Sequence, residues 1–202
     1  MNASSTCSGT RRAAAAVLLA ACVLMLPAPV LADEHVNLTV SEKDGRYQVR
    51  GGFTVEASVD TAWAVLTDYE GIPRFVKAMR SSVVERGPSG ARQIRQEAVQ
   101  RVLLLRKTVH VALEVEEDRP QRVGFKDVLK RDFELFEGAW TIEPRGDSLT
   151  VRYALDAKPM SQAPGLIGRM VMSGSAHDQL EQVRAEILRR ARHRDEDDEK
   201  DD

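Results

Sequence analysis

The sequence predicts an α+β fold of the helix-grip type, in which a curved antiparallel sheet wraps around a long C-terminal helix and two short helices follow the first hairpin. Three observations predict it. A helical stretch from Ser58 to Val76 interrupts segments of strand character. Several further strand-like segments with short polar turns come next, which is typical of an antiparallel meander. A helical pattern without proline, from Leu166 to Arg192, closes the chain.

The chain begins with the features of a secretory signal peptide. Arg11 and Arg12 precede an uncharged run from Ala13 to Leu26, and a small-residue site, Val30-Leu31-Ala32, follows. This is the order of a cleaved leader. The uncharged run is shorter than the ~20 apolar residues that a membrane-spanning helix needs. We therefore expect residues 1–32 to be removed and the protein to be periplasmic.

A second kind of leader remains an alternative. Leu19-Ala20-Ala21-Cys22 resembles a bacterial lipoprotein signal, in which Cys22 would be lipidated and would anchor the protein, although Val23 to Leu26 stay apolar. Cleavage after Ala32 instead removes Cys7 and Cys22, which are the two cysteines of the chain. The exported chain would then contain no disulfide, and its stability would depend on its core.

Charge and composition divide the remaining chain into two parts. Without the leader the formal charge is −4, with 27 basic and 31 acidic residues. Residues 195–202 carry −6 of this charge and no apolar residue, so we expect an acidic disordered tail. Residues 33–194 carry +2 and are long enough for one domain with a substantial core. The arginines from Arg189 to Arg194 lie in the last turns of the predicted helix, where cations complement the helix dipole, and lack the interleaved aromatic residues of a nucleic-acid site.

The first two strands and the helical stretch are predicted from residue spacing. Strands at His35 to Ser41 and Arg46 to Ala57 flank the hairpin signal Asp44-Gly45. Tyr47, Val49, Phe53, Val55 and Ala57 share one parity, so one face of the second strand should be buried. In the following stretch, Ser58 or Asp60 can cap a short helix.

Six strands and one helix complete the series. The strands are expected at Met79–Arg86, Gln93–Leu103, Lys107–Glu116, Arg122–Leu129, Phe133–Glu143 and Leu149–Ala157. On the final helix, a broad face contains Leu166, Met170, Ser173, Ala176, His177, Leu180, Val183 and Ile187. We expect this face to cover the sheet.

Three segments carry a resemblance to a known superfamily. Ala62 to Pro73, Phe133 to Pro144 and Val151 to Leu155 resemble the START-like, Bet v 1-like superfamily, in particular its polyketide cyclase/dehydrase and coenzyme-Q-binding families. The resemblance covers about Arg46 to Arg190 and implies the helix-grip fold. It also implies an internal cavity for a hydrophobic ligand such as a lipid or isoprenoid quinone. Leader and family together are typical of a bacterial periplasmic protein.

The inward-facing positions give a predicted cavity lining. It consists of Tyr69, Phe75, Val111, Leu113, Phe125, Phe136, Trp140, Tyr153, Met160, Leu166, Met170, Ser173 and His177. For each apolar residue taken alone, packing in the core is the more common role. As a set they predict a ligand cavity, because such pockets have mainly apolar walls with a few polar groups.

The sequence contains no recognisable catalytic or cofactor motif. His35, His110, His177 and His193 are too widely spaced for a short metal-binding motif, and Gly165 to Gly168 lacks the phosphate-loop pattern. We therefore expect no metal, no cofactor and no nucleic-acid partner, and the sequence indicates no protein partner. Transient contact with a membrane is compatible with a carrier of hydrophobic molecules.

Three functional hypotheses remain. The first is an exported binding protein for a hydrophobic molecule. The second is a cyclase/dehydrase-type enzyme, in which Tyr69, Tyr153 or His177 would polarise or protonate a poly-carbonyl substrate. The third is a protein-interaction module without a ligand. Export favours the first, because it would separate the protein from the cytoplasmic partners that the other two require.

Overall fold

The computed structural model describes residues 36–87, 90–102, 105–161 and 165–201, and the predicted leader lies outside these ranges. The strands in the described ranges are β1 (Asn37–Lys43), β2 (Arg46–Val55), β3 (Met79–Arg86), β4 (Arg92–Val102), β5 (Leu105–Asp118), β6 (Arg122–Asp127), β7 (Phe133–Arg145) and β8 (Ser148–Pro159). The helices are α1 (Val59–Leu66), α2 (Ile72–Phe75) and α3 (Gly165–Asp201), with a 3₁₀ turn at Tyr69–Gly71.

The strands form one antiparallel sheet that curls around α3. Their order is β1-β2-β8-β7-β6-β5-β4-β3, so the first hairpin joins the meander through the pairing of β2 with β8. The helix α3 packs against β1 and β2 and also against β4. Four strands separate β2 from β4, and neighbouring strands lie about 4.8 Å apart. A flat sheet could not bring both to one helix, so the predicted helix-grip fold is confirmed.

Local capping explains where the short helices begin. The Ser58 side chain accepts a hydrogen bond from the Thr61 backbone N–H at 3.1 Å, which makes Ser58 the N-cap of α1. Asp68 similarly accepts from the Gly71 N–H at 3.1 Å and opens the 3₁₀ turn. Trp63 on α1 is buried. The caps thus set where these segments begin, and Trp63 packs in the core, as the spacing of the apolar residues predicts.

The core lies between β2, β8 and the C-terminal half of α3. The predicted inward residues of β2, including Val49 and Phe53, are at most 3% exposed, and Leu180 and Ile187 of α3 are fully buried. At Gly51 a side chain would not fit, because a Cβ would lie 2.7 Å from the Asn37 carbonyl oxygen and 3.0 Å from Leu180 Cδ1. Glycine therefore allows α3 to approach β2 closely.

The end of α3 differs from the prediction. The helix continues to Asp201, through most of the segment that composition predicts to be a disordered tail. Glu and Lys have good helix propensity, and a pair such as His193 and Glu196, whose Nδ1 and Oε2 atoms are 3.6 Å apart, is compatible with helix. The arginines Arg189 to Arg194 consequently do not lie in the last turn, so the dipole argument for them does not apply. Within the described residues, no helix has the length and apolar character needed to cross a membrane.

Candidate functional site

Five aromatic side chains from β6, β7 and β8 contact one another in a continuous row. The ring centroids are 4.8 Å apart for Phe133 and Phe136, 5.9 Å for Phe136 and Phe125, 6.3 Å for Phe125 and Tyr153, and 4.5 Å for Tyr153 and Trp140. We call these five residues the aromatic row. Tyr153 and Trp140 are buried, whereas the three phenylalanines are half-buried. One end of the row, at Trp140 and Tyr153, is therefore buried, and the other end, at Phe133 and Phe136, retains accessible surface.

Strand register places the aromatic row on the face of the sheet that α3 covers. Tyr153 pairs with Gly51, where a Cβ would lie 3.0 Å from Leu180 Cδ1 of α3. Phe125 pairs with Gly138, where a Cβ would lie 2.7 Å from Phe125 Cζ. Partners in register share a face of the sheet. The Phe125 ring therefore lies over β7, between the sheet and the helix.

One member of the row could not be found from strand parity. Phe133 is an odd number of residues away from Phe136, so strict alternation would place the two rings on opposite faces. The register of β7 against β8 shifts between Phe133 and Leu135. A bulge of this kind changes the side-chain parity, and it brings Phe133 onto the face of Phe136.

The hydroxyl of Tyr153 has unusual surroundings. Tyr153 is 4% exposed, and burial raises the pKa of its phenol. Among the described residues, no group forms a hydrogen bond with this hydroxyl, and the Tyr153 ring contacts the rings of Phe125 and Trp140. A phenol can both donate and accept a hydrogen bond. The hydroxyl is therefore one polar group of the aromatic row with which a ligand atom would form a hydrogen bond.

The opposite side of the interior is more polar. Gln96 on β4 donates to Ser82 Oγ on β3 at 3.1 Å, and Ser175 on α3 donates to the side-chain oxygen of Gln100 on β4. Gln96 and Gln100 share one parity, and the second contacts α3, so both face the helix. The helix-facing side of the sheet is therefore apolar on β6, β7 and β8 and carries amide and hydroxyl groups on β3 and β4. Sequence reasoning missed these polar residues, because their strand shows little alternation.

Several predicted lining residues do lie together. Phe125, Phe136, Trp140 and Tyr153 belong to the aromatic row. Val111 and Leu113 are buried on β5, the strand beside β6, on the face of the core. Ser173 is half-buried on α3.

The predicted face of α3 is wrong in its first turns. Leu166 and Met170 are 69% and 59% exposed, and His177 is exposed as well. At the start of the helix the sheet is contacted instead by Gly168, where a Cβ would lie 1.9 Å from the Tyr47 hydroxyl oxygen. The helix therefore turns a different side to the sheet in its N-terminal half than in its C-terminal half. The ideal period of 100° per residue does not anticipate which side the curved sheet contacts.

Three other predicted residues are placed elsewhere. Met160 follows β8 and is 48% exposed. Phe75 lies in a surface depression of about 410 Å³, described below. The Tyr69 hydroxyl donates to Glu117 Oε1 at 2.8 Å, and the Arg92 guanidinium lies 5.2 Å from the centre of its ring. Burial, together with Glu117, raises the pKa of Tyr69, so this hydroxyl is a firmly held proton donor to Glu117.

The depression next to Phe75 is a charged junction between α3 and the 3₁₀ turn. It is lined by Asp68, Arg74, Phe75, Glu186, Arg189 and Arg190. Arg190 donates to Asp68 at 2.6 Å and to Glu186 at 2.7 Å, and Arg189 donates to Glu186 at 2.8 Å. The hydrogen bond from Arg189 lowers the pKa of Glu186, burial opposes it, and Arg190 adds to it, so that the pKa falls to about 2. These charges are satisfied by one another, which indicates a structural role.

A second depression and the histidines provide no reactive site. The depression, of about 360 Å³, is lined by Val84, Glu85, Arg86 and Arg92, and neither depression includes a residue of the aromatic row. In the described ranges no three His, Cys, Asp or Glu side chains are arranged to hold a metal ion. His110 Nδ1 lies 3.3 Å from Asp132 Oδ2, on the polar face of β5. The interior next to the aromatic row is therefore the candidate site.

A curved sheet that grips one long helix, with an aromatic interior between them, defines a protein of the START-like class. A sequence profile described as "Polyketide cyclase / dehydrase and lipid transport" matches residues 55–184, more than half of the chain. The chain belongs to this family.

Solved structures share the fold at low sequence identity. A START superfamily protein from Mycobacterium smegmatis is 18% identical with a TM-score of 0.56, covering 72% of this chain and 97% of its own. The Zhui aromatase/cyclase from a Streptomyces species is 16% identical with a TM-score of 0.58, covering 72% and 95%. A STAR-related lipid transfer protein from Xanthomonas axonopodis is 14% identical with a TM-score of 0.55, covering 74% and 98%. A comparison with curated proteins returned no match.

Proposed function

We propose that this protein is exported and binds a hydrophobic small molecule, such as a lipid or isoprenoid quinone, between the aromatic row and α3. The observation that carries the proposal is the aromatic row itself, which places five rings on the helix-facing side of the sheet. Binding sites of this kind have apolar, aromatic walls and a few polar groups. Tyr153 and the amides of β4 supply such groups.

Two further observations support this proposal. The family description includes lipid transport, and one structure of the same fold is a lipid transfer protein. The leader-like residues 1–32 support export to the periplasm, where transient contact with a membrane would allow exchange of a greasy ligand. Fractionation of producing cells tests the export step, because the periplasmic form should begin at Asp33.

The placement of residues does not favour the enzyme alternative. The family description and the Zhui structure also include cyclases. Of the three groups that this hypothesis requires, Tyr69 is held by Glu117 and His177 is exposed. Only Tyr153 remains in the interior.

The proposal is tested by extraction of the protein purified from its native cells, followed by mass spectrometry of the extract. We expect a lipid or quinone at a fixed ratio to protein. Phe136→Leu should retain several-fold less of it, because it removes a half-buried ring of the aromatic row.

Phe75→Leu is the matched control. Phe75 is also a half-buried phenylalanine, but it lies in the charged depression, and its substitution should leave ligand content unchanged. A protein that arrives empty and takes up neither lipids nor quinones from vesicles would overturn the proposal. Equal loss in both variants would show that ligand content follows general stability and not the aromatic row.

A further inference from the structure

Four described parts of the chain lie at one end of the sheet. They are the β1–β2 turn, the first residues of β5, the β6–β7 loop, and Met160 and Ser161 after β8 with the first turn of α3. Two hydrogen bonds join three of these four parts. Lys107 Nζ donates to Ser161 Oγ at 2.6 Å, and the Met160 N–H donates to the Asp132 carbonyl oxygen at 2.9 Å. We call this the apical end.

Large exposed apolar side chains concentrate at the apical end. Six such side chains are found in the described residues, and four of them, Val128, Met160, Leu166 and Met170, belong to the β6–β7 loop, the β8–α3 segment and the first turns of α3. The other two are on the edge strand β3. Leu166 and Met170 are four residues apart and thus lie on one side of the helix. This concentration distinguishes the apical end from the rest of the surface, because scattered exposed apolar residues are normal but clusters mark contact sites.

Basic side chains surround these apolar residues. Arg106 and Lys107 are exposed at the start of β5, Lys130 and Arg131 in the β6–β7 loop, and Arg169 near the start of α3. The exposed acidic residues of this end are Asp44 and Glu134, and Glu134 Oε2 is paired with Lys158 Nζ at 2.5 Å. The end therefore carries an excess of positive charge. Apolar side chains flanked by lysine and arginine are typical of proteins that bind an anionic lipid surface. The apolar side chains enter the membrane interface, and the basic side chains bind lipid phosphates.

We propose that the apical end is a docking surface for a bilayer containing anionic phospholipids. Leu166 and Met170, with Met160 and Val128, enter the headgroup region, and the exposed lysines and arginines bind the phosphate groups. This orientation turns the start of α3 and the accessible end of the aromatic row, at Phe133, towards the lipid. The inference deepens the proposed function, on which its meaning for ligand exchange rests, but vesicle binding itself does not require a bound ligand.

Co-sedimentation with two kinds of vesicle tests the docking surface, one of phosphatidylcholine alone and one of phosphatidylcholine with phosphatidylglycerol. All variants carry the same N-terminus, so any contribution of residues 1–32 is common to them. The protein should bind the anionic vesicles more tightly, and less so at high salt. Lys130→Glu combined with Arg131→Glu should weaken binding to the anionic vesicles on the order of tenfold or more and abolish the preference for them. Leu166→Ser combined with Met170→Ser should weaken binding to both.

Matched controls lie away from the apical end. Val83→Ser with Val84→Ser removes the other exposed apolar pair. Arg119→Glu in the β5–β6 turn, with Arg145→Glu at the end of β7, reverses two exposed charges at the opposite end of the sheet. Both controls should bind like the wild type, and all substituted side chains are exposed, so melting temperatures should stay close together. The proposal would be overturned if the controls lost as much vesicle binding as the variants of the apical end, or if the wild type bound neither kind of vesicle. Self-association of the wild type through Leu166 and Met170 would also overturn it.

The two proposals fail in different ways. A protein that binds vesicles through the apical end but never contains a ligand would retain the docking surface and overturn the proposed function. A protein that contains a ligand but does not bind vesicles would retain the proposed function and overturn the docking surface.

Discussion

Tyr69 and Tyr153 are both buried tyrosines, yet their hydroxyl groups have different partners. The Tyr69 hydroxyl donates to a carboxylate, and the Tyr153 hydroxyl has no partner in the described part of the chain. A hydrogen bond to a charged group contributes about 1.5–3 kcal/mol, whereas a hydroxyl that makes no hydrogen bond within the protein contributes nothing comparable. The two residues are equivalent in type and burial. The difference between their roles in stability therefore depends on the group next to each hydroxyl oxygen.

The two tyrosine-to-phenylalanine variants should therefore differ. Tyr69→Phe should lower the free energy of unfolding by about 1–3 kcal/mol, because Glu117 loses a donor. Tyr153→Phe should leave the ligand-free protein as stable as the wild type or slightly more stable. Urea titrations of both variants measure this. A marked loss of stability in Tyr153→Phe would show that its hydroxyl has a structural partner.

At the scale of an element, α3 shows how glycine positions decide packing. Gly168 contacts the Tyr47 side chain, and a Cβ at this position would lie only 1.9 Å from the hydroxyl oxygen and 2.7 Å from Cζ, whereas a Cβ on Gly174 would meet no heavy atom within 4 Å. Tyr47 is 3% exposed and its ring is rigid, so it has little room to move. The first glycine is required by a neighbour and the second is not.

Alanine at these two positions should have opposite effects. Gly168→Ala should destabilise the protein by about 1–3 kcal/mol, because it forces Tyr47 and the start of α3 apart. Gly174→Ala should stabilise it by about 0.5–1 kcal/mol, because alanine is the better helix former. Thermal unfolding of the two variants compares them directly. If both were stabilised, α3 would not pack on Tyr47 as described.

The arginines of α3 illustrate a second point at this scale. Their spacing near the end of the predicted helix suggested a dipole contribution, but Arg190 instead joins Asp68 and Glu186, and Arg194 lies 3.3 Å from Ser58 Oγ. These contacts connect α3 to the segment around α1 and the 3₁₀ turn. Their partners are more than 100 residues away in sequence in the case of Asp68 and Ser58, so no local pattern could identify them.

For the whole molecule, this junction should make stability depend on acid pH. The pKa of Glu186 is lowered from 4.5 to about 2, and Arg190 and Arg74 lower the pKa of Asp68 although burial opposes them. Carboxyl groups with a lowered pKa in the folded state stabilise the fold above their unfolded pKa and lose this contribution as the pH falls through the folded value.

The free energy of unfolding should thus be steady above about pH 5 and fall between about pH 4.5 and 2. Glu186→Gln should reduce stability near neutral pH by about 1–2 kcal/mol, allowing for solvent screening of the partly exposed arginines. The difference from the wild type should shrink towards pH 2. Denaturant titrations at a series of pH values measure it, and a difference that does not change with pH would show that Glu186 contributes by packing alone.

The sequence by itself determined the architecture of this protein. Alternation on β2, the Ser58 cap and the long apolar pattern of α3 are local, since each depends on the conformation of a few successive residues, and together with the family resemblance they were sufficient to predict the helix-grip fold. Strand alternation also predicted the inward-facing side chains of Phe125, Phe136, Trp140 and Tyr153, because these residues follow the simple parity of their strands.

Where strand alternation or the helical repeat is interrupted, only the tertiary structure decided which residues face the interior. The register shift in β7 brought in Phe133, and the contact of Gly168 with Tyr47 turned Leu166, Met170 and His177 away from the sheet. Both depend on how a curved sheet meets a long helix, which is a property of distant segments. The same geometry concentrated exposed apolar and basic side chains at the apical end, from loops that lie far apart along the chain.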